Sequence, residues 1–185
     1  MQQRNADRTR SRILAAATEE FAERGIAGAR VQRIAEVAGC NKAMLYAYFG
    51  SKDGLFDAVF SASVDEYLSV VGFDTEDLPA YAGRLFDYFE DHPERLRLTN
   101  WYRLERGNAE PLEAIVAVNQ SRLDELDRAQ RRRTVTKQFS SVSLLPLIQA
   151  IATSWSSMTP EYGTATPSRA SRRKAVVAAV EKILS

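Results

Sequence analysis

Residues Arg33 to Phe49 read RIAEVAGCNKAMLYAYF. Val31, Ile34, Ala35 and Ala38 fall at i, i+3, i+4 and i+7, the apolar face of a short helix. Gly39 supplies the left-handed residue that stops it. Asn41 is an N-cap for a second short helix, whose Leu45 and Phe49, at i and i+4, point inward. Two short helices joined by a tight glycine-containing turn make a helix-turn-helix. Ala35 and Ala38 are small enough for the close, steep crossing this motif needs. The second helix then projects outward with Asn41, Lys42, Ala43, Met44 and Ala47, flanked by Tyr46 and Tyr48. No carboxylate occurs from Gly39 to Lys52. An ammonium and phenolic hydroxyls on an acid-free surface suit phosphate oxygens, and a projecting helix of this size fits a DNA major groove.

Working outward, helical periodicity continues on both sides. Ile13, Leu14, Ala17, Phe21 and Ala22 form the stripe of a first helix that Gly25 can end. Ser51 caps a fourth, with Leu55, Phe56, Val59, Phe60 and Tyr67 on its core side. After a break near Gly72 to Asp77 come Leu78, Ala82, Leu85, Phe86 and Phe89. Pro93 then starts a helix bearing Leu96, Trp101 and Tyr102. Pro111 opens a longer helix through Ile115, Val116, Leu123 and Leu126. From Val142 to Met158 the chain is apolar nearly all round, the mark of a buried helix, and Pro146 must lie in its first turn or kink it. A last helix carries Val176, Val180, Ile183 and Leu184. No alternating strand pattern competes. The expected fold is all-α, with an N-terminal three-helix helix-turn-helix unit over residues 1–50, a connecting helix over 51–70 and a larger helical bundle over 71–185.

Composition narrows the function classes. The 185 residues are 45% hydrophobic, enough for a sizeable core. No apolar run approaches the ~18 residues of a membrane span, and no signal peptide opens the chain, so a cytoplasmic protein without a membrane partner is expected. One cysteine excludes an intrachain disulfide, and one histidine leaves little for a metal site or a catalytic triad. Neither a Gly-rich phosphate loop nor a carboxylate pair beside a histidine is present, so no enzyme activity, metal or cofactor is expected. Residues 1–53 hold nine Lys/Arg against six Asp/Glu, a modest basic excess that fits nucleic acid and fits a solvated tail equally.

The stretch IAEVAGCNKAMLYAYFGSKDGLFDAV resembles the N-terminal domain of TetR-type (TetR/AcrR) transcriptional regulators, which read I-A-x-x-A-G-V-S-x-G-x-L-Y-x-Y-F-x-S-K-x-x-L. The matches are Ile34, Ala35, Ala38, Gly39, Leu45, Tyr46, Tyr48, Phe49, Ser51, Lys52 and Leu55, with FAERGI at Phe21 to Ile26 resembling the end of that family's first helix. The likeness covers the first third of the chain. It implies a homodimer that binds a palindromic operator in double-stranded DNA and is released by a small-molecule effector. By this resemblance Lys42, Tyr46, Tyr48 and Lys52 fall at DNA-touching positions, and Ala43 and Met44 face bases with only apolar contact to give. Arg30, Gln32 and Arg33 are the hydrogen-bonding candidates beside them, with Asn41 at the helix start. Two departures stand out: Ala29 and Arg30 replace the Thr or Ser that usually caps the second helix, and Cys40-Asn41 replaces Val-Ser. Cys40 is expected in the buried valine position as a small hydrophobe.

For the effector, the resemblance directs attention to the larger bundle, where Phe86, Phe89, Trp101, Tyr102, Asn119 and Trp155 are the candidate lining. Asn119 interrupts the stripe Ile115, Val116, Leu123. It either orients a ligand or is a core asparagine satisfied by backbone or water. The last two helices are the expected dimer interface, or else part of one monomer core. The basic run Arg128 to Lys137 reads as a solvated helix end or as a second nucleic-acid patch. The competing reading of the whole chain is a helical enzyme or small-molecule binding module that kept a vestigial helix-turn-helix.

Overall fold

The computed structural model describes residues 2–107, 111–155 and 167–185. These are all-helical, with no strand among them. In order come α1 (Gln2–Gly28), α2 (Val31–Ala38), α3 (Lys42–Phe49), α4 (Lys52–Val70), α5 (Leu78–Asp91), α6 (Pro93–Arg106), α7 (Glu113–Arg131), α8 (Ser141–Thr153) and α9 (Arg169–Leu184). They form two compact units: residues 1–66 with 94–112, and residues 67–93 with 113–185.

In the first unit the α1 stripe Ile13, Ala17, Phe21 and Ala22 is buried with Ile34, Leu45, Leu55 and Phe56. Phe21 meets Phe56 edge-on at 5.2 Å between centroids, the arrangement that ring quadrupoles favour. Backbone dihedrals break α1 at Gly25 (φ 71°), where the sequence placed its stop. The side chain of Ser51 accepts from the Gly54 N–H at 2.9 Å and so caps α4, also as expected. Helix α6 belongs to this unit. The Trp101 indole donates to the Ala22 carbonyl (3.3 Å), and Tyr102 stacks on Phe60 at 4.5 Å.

In the second unit Leu78, Tyr81, Ala82, Leu85 and Phe86 of α5 share a core with Leu126, Leu144, Leu145, Ile148, Val176 and Val180. Ion pairs stitch α9 to α5. Arg172 grips Glu90 with both terminal nitrogens (2.7 and 2.6 Å), Arg173 reaches Asp87 (2.6 Å) and Arg169 reaches Asp91 (2.6 Å). The hydrogen bond from Arg169 holds the Asp91 carboxyl below its ordinary value. Helix α8 departs from its expected all-round burial. Ser141, Leu144, Leu145, Ile148 and Ala152 face inward, whereas Val142 and Leu147 are 65% and 38% exposed. The stretch after Trp155, including Met158, lies outside the described residues. Pro146 sits in the second turn rather than the first, so the Val142 carbonyl loses its i+4 donor at a solvent-facing position.

Candidate nucleic-acid interface

The turn between α2 and α3 is built as its residue types dictate. Gly39 adopts φ 63°, ψ 43°, and its N–H returns to the Ala35 and Glu36 carbonyls, closing α2. The Asn41 side-chain oxygen accepts from the Met44 N–H at 2.8 Å, opening α3. Ala35 and Ala38 are buried at the crossing. Leu45 alone on α3 is fully buried. Phe49 is half-buried, with the Arg10 guanidinium 5.5 Å from its ring centroid. The rest of the helix is surface: Lys42, Ala43 and Ala47 are exposed, as are Met44 (41%), Tyr46 (42%) and Tyr48 (37%). Lys42 and Tyr46 have no side-chain partner among the described residues, which leaves an ammonium and a phenol available for an external acceptor. Cys40 is half-buried rather than buried.

The remaining candidates are near α3 but engaged. The Lys52 ammonium donates to the Ala27 (3.0 Å) and Ala29 (3.3 Å) carbonyls, leaving one N–H over. The Tyr48 hydroxyl donates to the Ala6 carbonyl at 3.4 Å. Gln32 donates to Glu36 one turn on (2.7 Å). Arg33 pairs through Nε with Glu20 (3.2 Å), and Arg30 is exposed with its backbone N–H given to the same carboxylate (3.0 Å).

Glu20 is the residue sequence reasoning missed. Position 30 provides no side-chain cap, so α2 lacks the usual hydroxyl. The buried Glu20 of α1 braces this start differently, accepting from the backbone N–H of Arg30, the N-cap residue itself, and from the Arg33 side chain, and lying 3.6 Å from Arg24. Two more supports were equally silent in the sequence. The Arg12 guanidinium donates to the Ala38 carbonyl at the end of α2. Both Glu105 carboxylate oxygens accept from the restarted turn after Gly25, at the Ile26 (2.9 Å) and Ala27 (2.7 Å) N–H groups. The only sequence signal for Glu20 was an acid in the apolar register of α1, one turn before Arg24.

The effector candidates divide between the units. Trp101 and Tyr102 pack in the first, where the Tyr102 hydroxyl also accepts from the Leu112 N–H (3.1 Å). Phe86, Phe89, Asn119 and Trp155 are in the second. Phe86 is buried with Arg172 5.6 Å from its ring, and Phe89 stacks against Tyr67 at 6.3 Å. The Trp155 carbonyl accepts from Arg172 (3.2 Å). Asn119 is exposed, as is Val116, so it is not a core asparagine: α7 buries its C-terminal half, at Arg122, Leu126, Ala129 and Gln130. No cluster of metal-ligating side chains occurs among the described residues, and none of their helices is long and apolar enough to cross a membrane.

Comparison with known proteins agrees with this geometry. Residues 13–59 match the family model described as bacterial regulatory proteins, tetR family, and residues 77–182 match the tetracyclin repressor-like C-terminal domain. The chain is 39% identical over 163 residues to the HTH-type transcriptional repressor SCO4008 of Streptomyces coelicolor, covering 87% of this chain and 84% of that one. It is 36% identical over 110 residues to the HTH-type transcriptional repressor NicS of Pseudomonas putida, covering 55% and 51%. The crystal structure of SCO4942 from Streptomyces coelicolor superposes with a TM-score of 0.84 at 42% identity, over 95% of this chain and 97% of that one.

Proposed function

This chain belongs to the TetR family of DNA-binding transcriptional regulators, and from that premise we propose that it is a repressor that grips a palindromic operator as a homodimer and releases it on binding a small-molecule effector. The observation that carries the DNA half of this reading is the face of α3: exposed from Lys42 to Tyr48 apart from Leu45, and free of carboxylates. Lys42 and Tyr46 contact phosphates, with Asn41 at the helix start. Ala43 and Met44 lie against base edges, where thymine methyls suit them. Arg30, Gln32 and Arg33 flank the groove, Gln32 exchanging Glu36 for a base edge. Lys52 contributes its remaining N–H, and Tyr48 donates to phosphate once its hydroxyl turns from Ala6.

Within this reading residues 1–50 recognise DNA, 51–70 connect, and 71–185 hold the effector and the partner copy. Effector contacts are proposed at Phe86, Phe89, Asn119 and Trp155. Trp101 and Tyr102 are left out of that set because they pack around Ala22 and Phe60. The exposed Val142 and Leu147 of α8 favour a second copy as the cover for that face.

Selection of bound duplexes from a random pool tests the proposal. The enriched sequence should be an inverted repeat with half-sites about 34–36 Å apart. A pool that stays unenriched at low salt would overturn it.

A further inference from the structure

Arg122, on α7, is 4% exposed. Its Nη1 donates to the Tyr67 hydroxyl at 2.9 Å, and Tyr67 in turn shares a 2.9 Å hydrogen bond with the Tyr81 hydroxyl. The guanidinium lies 4.9, 5.5 and 5.8 Å from the ring centroids of Tyr67, Phe73 and Tyr81. Its Nη2 is buried and has no acceptor. No carboxylate among the described residues pairs with it. The contrast with other shielded arginines is direct: Arg95 has Glu66, Arg106 has Asp53 and Asp57, and Arg172 has Glu90, although each is more exposed than Arg122. Burial pushes the Tyr67 phenol well above its ordinary value, with Tyr81 adding to the effect, so Tyr67 stays neutral and supplies no counter-charge. Ring faces soften the burial of a cation but do not replace an anion.

We propose that Arg122 anchors the effector site and that the effector is a monocarboxylic acid with an aromatic body. The unfilled Nη2 offers a charge-assisted hydrogen bond to a carboxylate oxygen, and one negative charge neutralises the one buried positive charge. The rings of Tyr67, Phe73 and Tyr81 suit an aryl group behind it. A phosphate would bring more charge and more acceptor oxygens than the single unfilled nitrogen can serve. Four segments meet at this cation: the end of α4, the segment that follows it, α5 and α7. Neutralising it therefore acts on the packing among those four segments. The proposal rests on the regulator reading for its consequence, release of DNA, and stands apart from it for binding itself.

Thermal melts of the full chain without DNA test it. The probes are benzoate, phenylacetate and 3-phenylpropionate, each against its primary amide at matched ionic strength. The acids should raise the melting temperature with concentration while the amides leave it unchanged. Arg122→Met should lose the acid response yet melt at or above the native temperature, because it buries a neutral chain in place of an unneutralised cation. Acids and amides acting alike, or no shift from either, overturns the proposal. So does an Arg122→Met chain that still responds, or one that melts well below native, which would mark Arg122 as a structural cation. Duplex binding is measured separately. An acid response without any duplex binding sinks the regulator reading and supports the site. Duplex binding with no acid response does the reverse.

Discussion

Asn41 and Tyr67 show how much one side chain decides. The Asn41 oxygen is the side-chain cap that opens α3, through the Met44 N–H. Asn41→Ala should lower stability by about 1 kcal/mol in urea titrations, and an unchanged midpoint would contradict the cap. Tyr67 makes a prediction at high pH. In the unfolded chain its phenol ionises at its ordinary value of 10.0, whereas in the fold it is held neutral by burial. The unfolded state then binds fewer protons above that pH, so stability falls as pH rises past 10, by about 1.4 kcal/mol per pH unit for this one group. Tyr67→Phe should remove that component of the slope, measured as unfolding free energy between pH 9 and pH 11. A variant as alkali-sensitive as the native chain would refute it. Gly39, Asn41, Leu45 and Ser51 were legible in the sequence because each acts within one turn of its own position. Arg122 was harder to see. It lies on the face shared by Asn119 and Leu126, and a cation in that register was the only signal.

Elements were read from periodicity; the end of α2 and the starts of α3 and α5 carry the caps their residues announced, whereas α8 stops at Thr153 rather than running on to Met158. What sequence could not supply is the set of caps that reach between elements. Glu20 serves α2 from α1, Arg12 serves the end of α2, and Glu105 serves the turn after Gly25 from 79 residues away. Such bonds leave no periodic trace, since any surface acid or arginine has the same local pattern. Gly25 gives the test. It needs φ 71°, and a Cβ there would lie 2.8 Å from the Trp101 ring. Gly25→Ala should therefore destabilise the chain by more than about 1 kcal/mol, read from denaturant unfolding. A neutral effect would show that the break in α1 does not depend on glycine. The N-terminal half of α7 is more exposed than its stripe implies, with Val116 at the surface, for a similar reason: a stripe announces which residues share a face, not whether another helix covers it.

At the scale of the whole molecule, helix α6 returns to the first unit although its neighbours in sequence, α5 and α7, belong to the second. Nothing in the spacing of Leu96, Leu98 and Trp101 distinguishes the two destinations. The exposed apolar residues of α8 carry the assembly prediction. A mass measurement at micromolar concentration should find a dimer, and Val142→Asp should shift it toward monomer, since a carboxylate would be stranded in a desolvated interface. Monomer alone in the native chain would remove the homodimer. The central claim concerns the outward face of α3, and the salt dependence of duplex affinity tests it most directly. For the native chain log K should fall linearly with log salt concentration. Lys42→Ala should bind every duplex more weakly, with a slope shallower by about 0.9 for the one lost phosphate contact. Unchanged affinity and slope in that variant would contradict the account.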